Sequence, residues 1–392
     1  MTPAARVQAA IEILDEIEAG KPAEQALTGW SRRSRYAGSK DRAAVRDHVF
    51  DALRCRRSFA ALGGAQTGRG LMLGALRHAG IDPDTVFTGA NYAPAVPDDQ
   101  EREAGTALSA GPEALDIPDW LWPRFRNSLG AQSEDCARVL QSRAPVHLRV
   151  NHGKAGISDA QQSLLRDGIT TIAHPAARSA LEITDGARRL RQSAAYRAGM
   201  VELQDAASQA VVEMLLLRDG MRVLDFCAGG GGKSLAMAAR ARLKLFAHDA
   251  APDRMADLPA RAERAGVHVN LISGDDVEQV APFDIVLCDV PCSGSGAWRR
   301  SPEGKWRLNE AALQRLGEVQ AGILQTASRL VADDGVLAYA TCSVLRDEND
   351  DQIERFLQQN AGWKRAVQRQ WTMLDGTDGF FTAHLTRDVS GG

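Results

Sequence analysis

The chain has 392 residues, of which 44% are hydrophobic and 25% are charged, and its formal net charge is -3 at pH 7. This is the composition of a globular protein, and the length predicts two or three domains. The slightly acidic balance excludes a protein that coats nucleic acid indiscriminately, although a local basic face is compatible with it.

The first 57 residues are predicted to be helical, because Val7, Ala10, Ile11 and Leu14 follow the i, i+3, i+4 spacing of a buried helix face. Residues 31–57 carry nine Arg or Lys against three Asp. This balance is typical either of a solvated helix face or of a surface that contacts nucleic-acid phosphates. Acidic residues near the start and the lack of a long apolar stretch indicate a cytoplasmic protein without membrane association. We also expect a monomer.

A stretch rich in proline, glycine and acids after residue 91 predicts a linker. The alternating segment VHLRVN at 146–151 predicts a strand, and the residues after it predict a helix. The sequence thus divides into a helical domain with its linker at 1–140, a small α+β unit at 141–200 and a third domain at 201–392.

The third domain alternates strands with helices. Its strand candidates are almost continuously apolar and lie at 222–228, 243–249, 269–275, 283–290 and 335–343. Apolar strands separated by helices predict an α/β domain with a Rossmann-like parallel sheet that is buried on both faces.

The loop after the first of these strands, in VLDFCAGGGGKS (223–234), ends in the Gly-Lys-Ser of a phosphate-binding P-loop. The P-loop pattern, however, needs a glycine where this chain has Cys227. The loop therefore belongs either to a damaged P-loop nucleotide triphosphatase or to a site for a different nucleotide-like ligand.

Acidic residues at the ends of the next strands favour the second interpretation. The second strand ends at Asp249, the third in Gly274-Asp275-Asp276 and the fourth at Asp289. Ligands of such sheets bind beyond the carboxyl ends of the strands. An acid at the position of Asp249 accepts hydrogen bonds from the ribose hydroxyls of the ligand. Carboxylates repel a triphosphate but attract an adenosine with a cationic tail. We therefore predict S-adenosylmethionine as the cofactor.

Two of the six cysteines follow neighbouring strands at this sheet edge, Cys292 in DVPCSGSG and Cys342 in ATCSV. A thiolate that adds to carbon 6 of cytosine makes carbon 5 nucleophilic enough to accept a methyl group. An acid near ring nitrogen 3 stabilises the adduct, and Asp289 suits that role. The chemistry leaves open which thiol attacks. Because the cysteines lack the repeated C-x2-C spacing of metal sites, we expect neither a metal nor a disulfide.

These motifs together resemble the Sun-type RNA cytosine-5 methyltransferases. The resemblance rests on DFCAGGGGKS, DVPCSGSGAWRRSPEGKWRL, GVLAYATCSVLRDEND and DGFFTAHLTR, and on APVHLRVN and VELQDAASQ in the middle of the chain. It implies a class I methyltransferase sheet preceded by a small α+β RNA-binding subdomain and an all-helical NusB-like RNA-binding domain. It also implies methylation of carbon 5 of a cytidine in 16S ribosomal RNA.

The resemblance assigns roles to particular residues. Cys342, in the Thr-Cys-Ser motif, is the attacking thiol, Cys292, in the Pro-Cys-Ser motif, releases the product, and Asp289 activates the base. Asp275 is placed near the adenine. The implied cofactor-binding set is Cys227, Ala228, Gly229, Gly230, Gly231, Gly232, Lys233, Asp249, Arg254, Asp275 and Asp289.

This chain has Gly229-Gly230 where the resembled family usually has Ala-Pro. Loss of the proline predicts a more mobile cofactor loop, with an ordering cost on the order of 1 kcal/mol. A noncatalytic, RNA-binding ribosome-assembly factor that retains the methyltransferase fold is therefore the alternative hypothesis.

The segment GAWRRSPEGKWRL, which follows Cys292, combines basic residues with two tryptophans. Aromatic rings stack on extruded bases and basic side chains contact the flanking phosphates. We therefore predict RNA contacts by Arg299, Arg300, Lys305 and Arg307.

Overall fold

The computed structural model describes residues 1–388, apart from the side chain of Asp275. The chain forms two compact units. One comprises Met1–Arg143 together with Trp298–Leu308, and the other comprises Ala144–Ala297 and the residues from Asn309 onward. No helix within the described residues is both long and apolar enough to cross a membrane.

The first unit is helical, as its apolar periodicity predicts. Val7, Ala10, Ile11 and Leu14 are all buried in its core. Thr2 caps the first helix by accepting a hydrogen bond from Ala5 N at 3.1 Å. The helices before residue 143 are α1 (Pro3–Glu18), α2 (Ala23–Arg33), α3 (Ser39–Arg54), α4 (Arg56–Gly63), α5 (Gly68–His78), α6 (Asp99–Glu103), α7 (Trp122–Leu129) and α8 (Ser133–Leu140).

The second unit begins with a four-stranded antiparallel sheet in the order β2-β3-β1-β4. Its elements are β1 (Val146–Val150), α9 (Ile157–Arg166), β2 (Thr170–Ala173), β3 (Ala180–Asp185), α10 (Ala194–Arg197) and β4 (Val201–Leu203). The succession βαββαβ is that of the ferredoxin-like fold. This sheet groups with the rest of the second unit, whereas the sequence division treats 141–200 separately.

A seven-stranded sheet follows in the same unit, in the order β10-β11-β9-β8-β5-β6-β7. The remaining elements are α11 (Ala206–Glu213), β5 (Arg222–Asp225), α12 (Gly232–Ala238), β6 (Lys244–Ala247), α13 (Leu258–Ala265), β7 (Asn270–Leu271), α14 (Gly274–Val280), β8 (Phe283–Asp289), α15 (Glu303–Arg307), α16 (Glu310–Ser328), β9 (Val331–Thr341), α17 (Asp350–Gln359), β10 (Trp363–Trp371) and β11 (Phe380–Arg387). Of these, α15 belongs to the helical unit.

The five predicted strands form the parallel part of this sheet, so the Rossmann-like fold is confirmed. The order of the strands reverses between β5 and β8, which places the ligand crevice beyond their carboxyl ends. The strands β10 and β11 were not predicted, and β11 runs antiparallel to both of its neighbours. Most of β10 is exposed and polar, so it lacks the apolar run by which the other strands were identified.

Candidate active site

The glycine loop connects β5 to α12. Gly229 and Gly231 have φ values of +51° and +76°, in the left-handed region that favours glycine. A Cβ atom at Gly231 would lie 2.2 Å from Leu258 Cδ1, so this position also needs glycine for space. An alanine at position 229, as in the resembled family, would be strained in this backbone conformation. The structure gives one conformation for this loop. The mobility expected from Gly229-Gly230 therefore stays a prediction.

Asp249 follows β6 and contacts this loop. Its Oδ2 accepts a hydrogen bond from Gly229 N at 2.9 Å and lies 3.2 Å from the guanidinium of Arg254. Its Oδ1 accepts from Ala251 N at 2.9 Å. The predicted ribose acid and the predicted glycine loop are therefore directly joined, and Arg254 is paired with that acid. The side chain of Asp275, the predicted adenine contact, lies outside the described part of the chain.

Lys233 and Asp289 form an ion pair across the crevice. Lys233 Nζ donates to Asp289 Oδ2 at 2.6 Å and also lies 4.8 Å from the centre of the Phe380 ring. The lysine is buried, whereas the aspartate side chain is 33% exposed. Asp289 therefore keeps an accessible oxygen at the end of β8, where a substrate can reach it.

Asp225, at the end of β5, is a buried acid that the sequence analysis did not select. Its Oδ2 accepts from Ser234 Oγ at 2.6 Å, and its Oδ1 has no hydrogen-bond partner within residues 1–388. Burial is the main reason that the pKa of Asp225 is raised to about 6. Burial also raises the pKa of Cys227, and the nearby charges of Asp225, Asp289 and Asp249 raise it further. Cys227 is thus an unreactive thiol in a region of negative potential.

The raised pKa of Asp225 predicts a pH-dependent stability. Because the folded state holds this proton more tightly than the unfolded chain, the contribution is complete below about pH 3.8 and is lost as the pH rises through about 6. The loss amounts to about 3 kcal/mol. Between pH 4.5 and 7.5 the wild type should lose about 2 kcal/mol of this contribution to its free energy of unfolding in urea, and Asp225→Asn should not show that loss.

Asp219→Asn is the matched control for this measurement. Hydrogen bonds from Arg242 lower the pKa of the exposed Asp219. The contribution of Asp219 to the stability of the protein is therefore not lost as the pH rises. Parallel pH profiles for the wild type and Asp225→Asn would contradict the prediction.

The two predicted thiols meet at the ends of neighbouring strands. Cys292 Sγ and Cys342 Sγ are 3.4 Å apart. The pKa of Cys292 is raised well above its ordinary value, first by its hydrogen bond to Cys342 and then by burial. Either sulfur can be the donor of the hydrogen bond between them.

Glu348 holds both cysteine-bearing loops, although the sequence analysis did not select it. This fully buried carboxylate accepts hydrogen bonds from Ser293 N at 2.7 Å, Ser293 Oγ at 2.5 Å and Ser343 Oγ at 2.5 Å. Gln320 Nε2 donates to it at 3.1 Å. The two serines each follow one of the paired cysteines. In the sequence, Glu348 could have been noticed as an acidic residue of LRDEND, shortly after the Thr-Cys-Ser motif.

A second supporting residue reaches the glycine loop from the small sheet. Arg149 donates to Gly232 O at 2.7 Å and to Gln204 Oε1 at 2.5 Å. Burial lowers the pKa of this arginine to about 10. Arg149 therefore anchors the first residue of α12. It lies in the VHLRVN segment, which was interpreted only as a strand.

The predicted RNA-contacting segment does not place all of its cations at the surface. Arg299 and Lys305 are buried in the helical unit, where Arg299 O accepts from Arg54 Nε at 2.8 Å. Lys305 Nζ donates to Arg54 O at 3.3 Å, and burial lowers its pKa to about 8. These two residues anchor the segment, which corrects their predicted placement on an RNA-binding surface. Arg300 is half-buried, and Arg307 is exposed and paired with Glu303 at 2.6 Å.

Comparisons with known families agree with the fold. Residues 212–386 match the family model "16S rRNA methyltransferase RsmB/F", and residues 117–188 match the RsmF/B-like ferredoxin-like domain. Ribosomal RNA small subunit methyltransferase B of Citrobacter koseri is 32% identical over 304 residues, covering 74% of this chain and 71% of that protein. The protein of that name from Erwinia tasmaniensis is 31% identical over 303 residues, covering 74% and 70%.

Solved structures share the fold. The crystal structure of PH0851 has a TM-score of 0.75 at 24% identity and is matched over 99% of both chains. A methyltransferase homolog protein from Pyrococcus horikoshii has a TM-score of 0.61 at 21% identity, over 72% of this chain and 100% of that one. The expected Sun-type resemblance is confirmed. The chain belongs to the RsmB/F family of ribosomal RNA methyltransferases.

Proposed function

We propose that this protein transfers a methyl group from S-adenosylmethionine to carbon 5 of a cytidine in 16S ribosomal RNA, through a covalent bond between a cysteine and carbon 6. The observation that carries the proposal is the distance of 3.4 Å between Cys292 Sγ and Cys342 Sγ. Paired thiols at the carboxyl ends of β8 and β9 serve this chemistry, because one must bond to the base and a second group must assist its release.

The charge of the crevice supports the choice of cofactor. Asp225, Asp249 and Asp289 all contribute negative potential at Cys227. Within residues 1–388, two of these acids form an ion pair with a cation, Asp249 with Arg254 and Asp289 with Lys233. A cationic sulfonium and ammonium compensate such a site, whereas phosphates do not. The residues proposed to hold the cofactor are the loop from Cys227 to Lys233 together with Asp249, Arg254, Asp275 and Asp289.

When bound, S-adenosylmethionine supplies an electrophilic methyl group. The chain's own part begins with Cys342, whose thiolate adds to carbon 6 of the cytosine. Ring nitrogen 3 takes up a proton from water, and the Asp289 carboxylate accepts a hydrogen bond from the resulting N–H. The enamine formed in this way would accept the methyl group at carbon 5. Water then takes the proton from carbon 5, and the electrons of that bond restore the double bond between carbons 5 and 6. The bond from carbon 6 to sulfur breaks to return the Cys342 thiolate, with Cys292 beside it, and nitrogen 3 returns its proton to water.

The assignment of Cys342 as the nucleophile rests on the family resemblance. The contact between the two sulfurs places Cys292 where its S–H can donate a hydrogen bond to the Cys342 thiolate. The assignment of Cys292 to product release rests on the family resemblance.

RNA contact is proposed for exposed cations of the helical unit. Arg32, Arg33, Arg35 and Lys40 are exposed, and Tyr36 beside them has 75% of its surface accessible. Cations around an exposed aromatic ring suit phosphate contact with base stacking. Of the four residues that the sequence predicts to contact RNA, Arg300 and Arg307 remain proposed RNA contacts.

The test is to incubate the full chain with methyl-labelled S-adenosylmethionine and small-subunit ribosomal RNA, and to map 5-methylcytosine in RNA from cells with and without the protein. We expect label at one or a few cytidines that are unmodified without the protein. Methyl groups at another atom would contradict the proposed chemistry. Tight RNA binding without cofactor binding in calorimetry would instead favour the noncatalytic assembly factor.

A further inference from the structure

The two cysteines of the candidate active site are in contact although they are distant in sequence. Cys292 Sγ and Cys342 Sγ are 3.4 Å apart, and the residues are 50 positions apart along the chain. Both residues are partly exposed, so a small reagent dissolved in water can reach them. The contact therefore allows a second reaction besides the proposed methyl transfer, which is the formation of a bond between the two sulfurs.

The backbone around the pair suits such a bond. The strands β8 and β9 are neighbours, and Asp289 lies opposite Ala340 near their carboxyl ends. Neighbouring strands lie about 4.8 Å apart, and the Cα atoms of a disulfide are about 4.4–6.8 Å apart. Beyond the strands, Gly296 N donates to Cys342 O at 3.0 Å. The two segments therefore remain close where the cysteines follow the strands.

Hydrogen bonds between these segments hold the sulfurs together. Glu348 accepts from Ser293 Oγ and from Ser343 Oγ, each at 2.5 Å. Ser343 Oγ also lies 2.8 Å from Ser295 Oγ. A disulfide of about 2.0 Å requires the sulfurs to approach each other by about 1.4 Å, a movement that rotation about the Cα–Cβ bonds can supply. The loops can therefore keep their contacts while the bond forms.

We propose that Cys292 and Cys342 are a site of reversible oxidative modification, at which hydrogen peroxide converts the two thiols into a disulfide. The disulfide masks both sulfurs, including the one assigned to bond with carbon 6. Loss of methyl transfer on oxidation therefore rests on the proposed function, whereas formation of the disulfide rests on the contact between the sulfurs. The expected absence of a structural disulfide is unaffected, because this bond forms only on oxidation.

The reaction balances with one molecule of hydrogen peroxide. A cysteine thiolate attacks a peroxide oxygen, the O–O bond breaks, and a sulfenic acid forms. The hydroxide that leaves combines with the proton that the thiol had released. The sulfur of the other cysteine then attacks the sulfenic sulfur, and the S–O bond breaks as the S–S bond forms. The second hydroxide takes the proton of the attacking thiol, so two thiols have lost two electrons and two protons, and the peroxide has become two molecules of water.

The pairing also protects the thiols from irreversible oxidation. A sulfenic acid without a nearby thiol is oxidised further to a sulfinic acid, which a dithiol does not reduce. Because the sulfurs are in contact, a sulfenic acid on Cys342 meets the Cys292 thiol before a second peroxide molecule arrives. A dithiol then reduces the disulfide by thiol–disulfide exchange and restores both thiols. Cys292 thereby acts as a resolving cysteine in addition to its proposed role in product release.

The experiment treats the reduced full chain with hydrogen peroxide, quenches with catalase, and measures the intact mass and the thiols that react after denaturation. We expect the six thiols to fall by two and the mass to fall by two hydrogen atoms. Digestion without a reducing agent should give a cross-linked peptide pair, and its fragment ions should assign the bond to Cys292 and Cys342 rather than to Cys288. Dithiothreitol should restore all six thiols.

Cys292→Ser tests the resolving role, because it keeps the size of the side chain and removes one sulfur. Peroxide should give no cross-link in this variant and should add oxygen atoms to Cys342 that dithiothreitol does not remove. Cys55→Ala is the matched control. Burial raises the pKa of Cys55 to about 12, so this thiol is unreactive and its removal should leave the cross-link as in the wild type.

The mass measurement distinguishes the modification from the proposed function. Methyl transfer that is lost on oxidation and restored by dithiothreitol would support both. A cross-link in a chain that transfers no methyl group before oxidation would contradict the proposed function and still support the modification. A wild type that keeps all six thiols under peroxide, or a cross-link that persists in Cys292→Ser, would overturn the proposal. The wild-type measurements decide the question if Cys292→Ser does not fold.

Discussion

Cys342→Ala should abolish methyl transfer to RNA, with a loss on the order of 10⁴-fold or more, because the proposed covalent bond to carbon 6 is formed by its sulfur. Cys292→Ala should have a different effect. If Cys292 assists release, its loss lets the covalent protein–RNA species accumulate, and this species survives a denaturing gel when the RNA is labelled. The double variant should form no such species, because Cys342 must attack before anything is trapped.

Cys55→Ala is the control for both changes. Burial raises the pKa of Cys55 to about 12, so this thiol is unreactive and its removal should leave methyl transfer unchanged. Full activity of Cys342→Ala would refute its assignment as the nucleophile. A trapped adduct in Cys342→Ala, with none in Cys292→Ala, would show that the two roles are reversed.

The second large effect is expected at Glu348, which does not itself need to touch the substrate. Its carboxylate holds Ser293 and Ser343, the residues that follow the two cysteines. In Glu348→Gln one acceptor oxygen becomes an NH₂ group that faces these donors, so at least one charge-assisted bond is lost and one donor is left unpaired. We expect the free energy of unfolding to fall by about 3 kcal/mol.

Displacement of the loops should also reduce catalysis. A misplacement of about 1 Å costs on the order of 10²-fold in rate. We expect this loss in kcat, measured at a temperature where the variant is fully folded, with little change in KM for S-adenosylmethionine. The rate of adduct formation in a Cys292→Ala background should fall in parallel.

Glu354→Gln is the matched comparison for Glu348→Gln. Glu354 is exposed on α17 and pairs with Arg346 at 3.0 Å. Exposed ion pairs contribute little, so its loss should change stability by less than about 1 kcal/mol and leave kcat unaltered. Wild-type kcat in Glu348→Gln would mean that the serine contacts do not position the thiols.

Much of the second unit can be predicted from local sequence features. Five apolar strands separated by helices were sufficient to predict a parallel sheet, because strands buried on both faces need apolar residues throughout. Parallel strands place their carboxyl ends at one edge, so the glycine loop, Asp249 and Asp289 were expected to lie together, and the structure joins the first two directly. The spacing of residues along the chain carries this information without any knowledge of tertiary contacts.

Burial and long-range pairing depend on the tertiary structure. Lys305 and Arg299 carry charges that are typical of a protein surface, yet both are buried. Lys305 donates to the backbone carbonyl of Arg54 on α3, and the Arg54 side chain donates to the backbone carbonyl of Arg299, about 250 positions away. The unselected Glu348 has the same explanation, since it joins segments that no local periodicity relates.

The sequence by itself therefore determined the parallel strands of the sheet and the position of the glycine loop, because these depend on strand direction and on residue chemistry. The reactive groups that it predicts remain a proposal. Only the tertiary structure decided that the two thiols lie 3.4 Å apart, that Glu348 holds their loops, and that Asp225 is buried with a raised pKa. Distances and desolvation arise from packing between segments that are far apart in the sequence. The residue order within a single segment does not specify that packing.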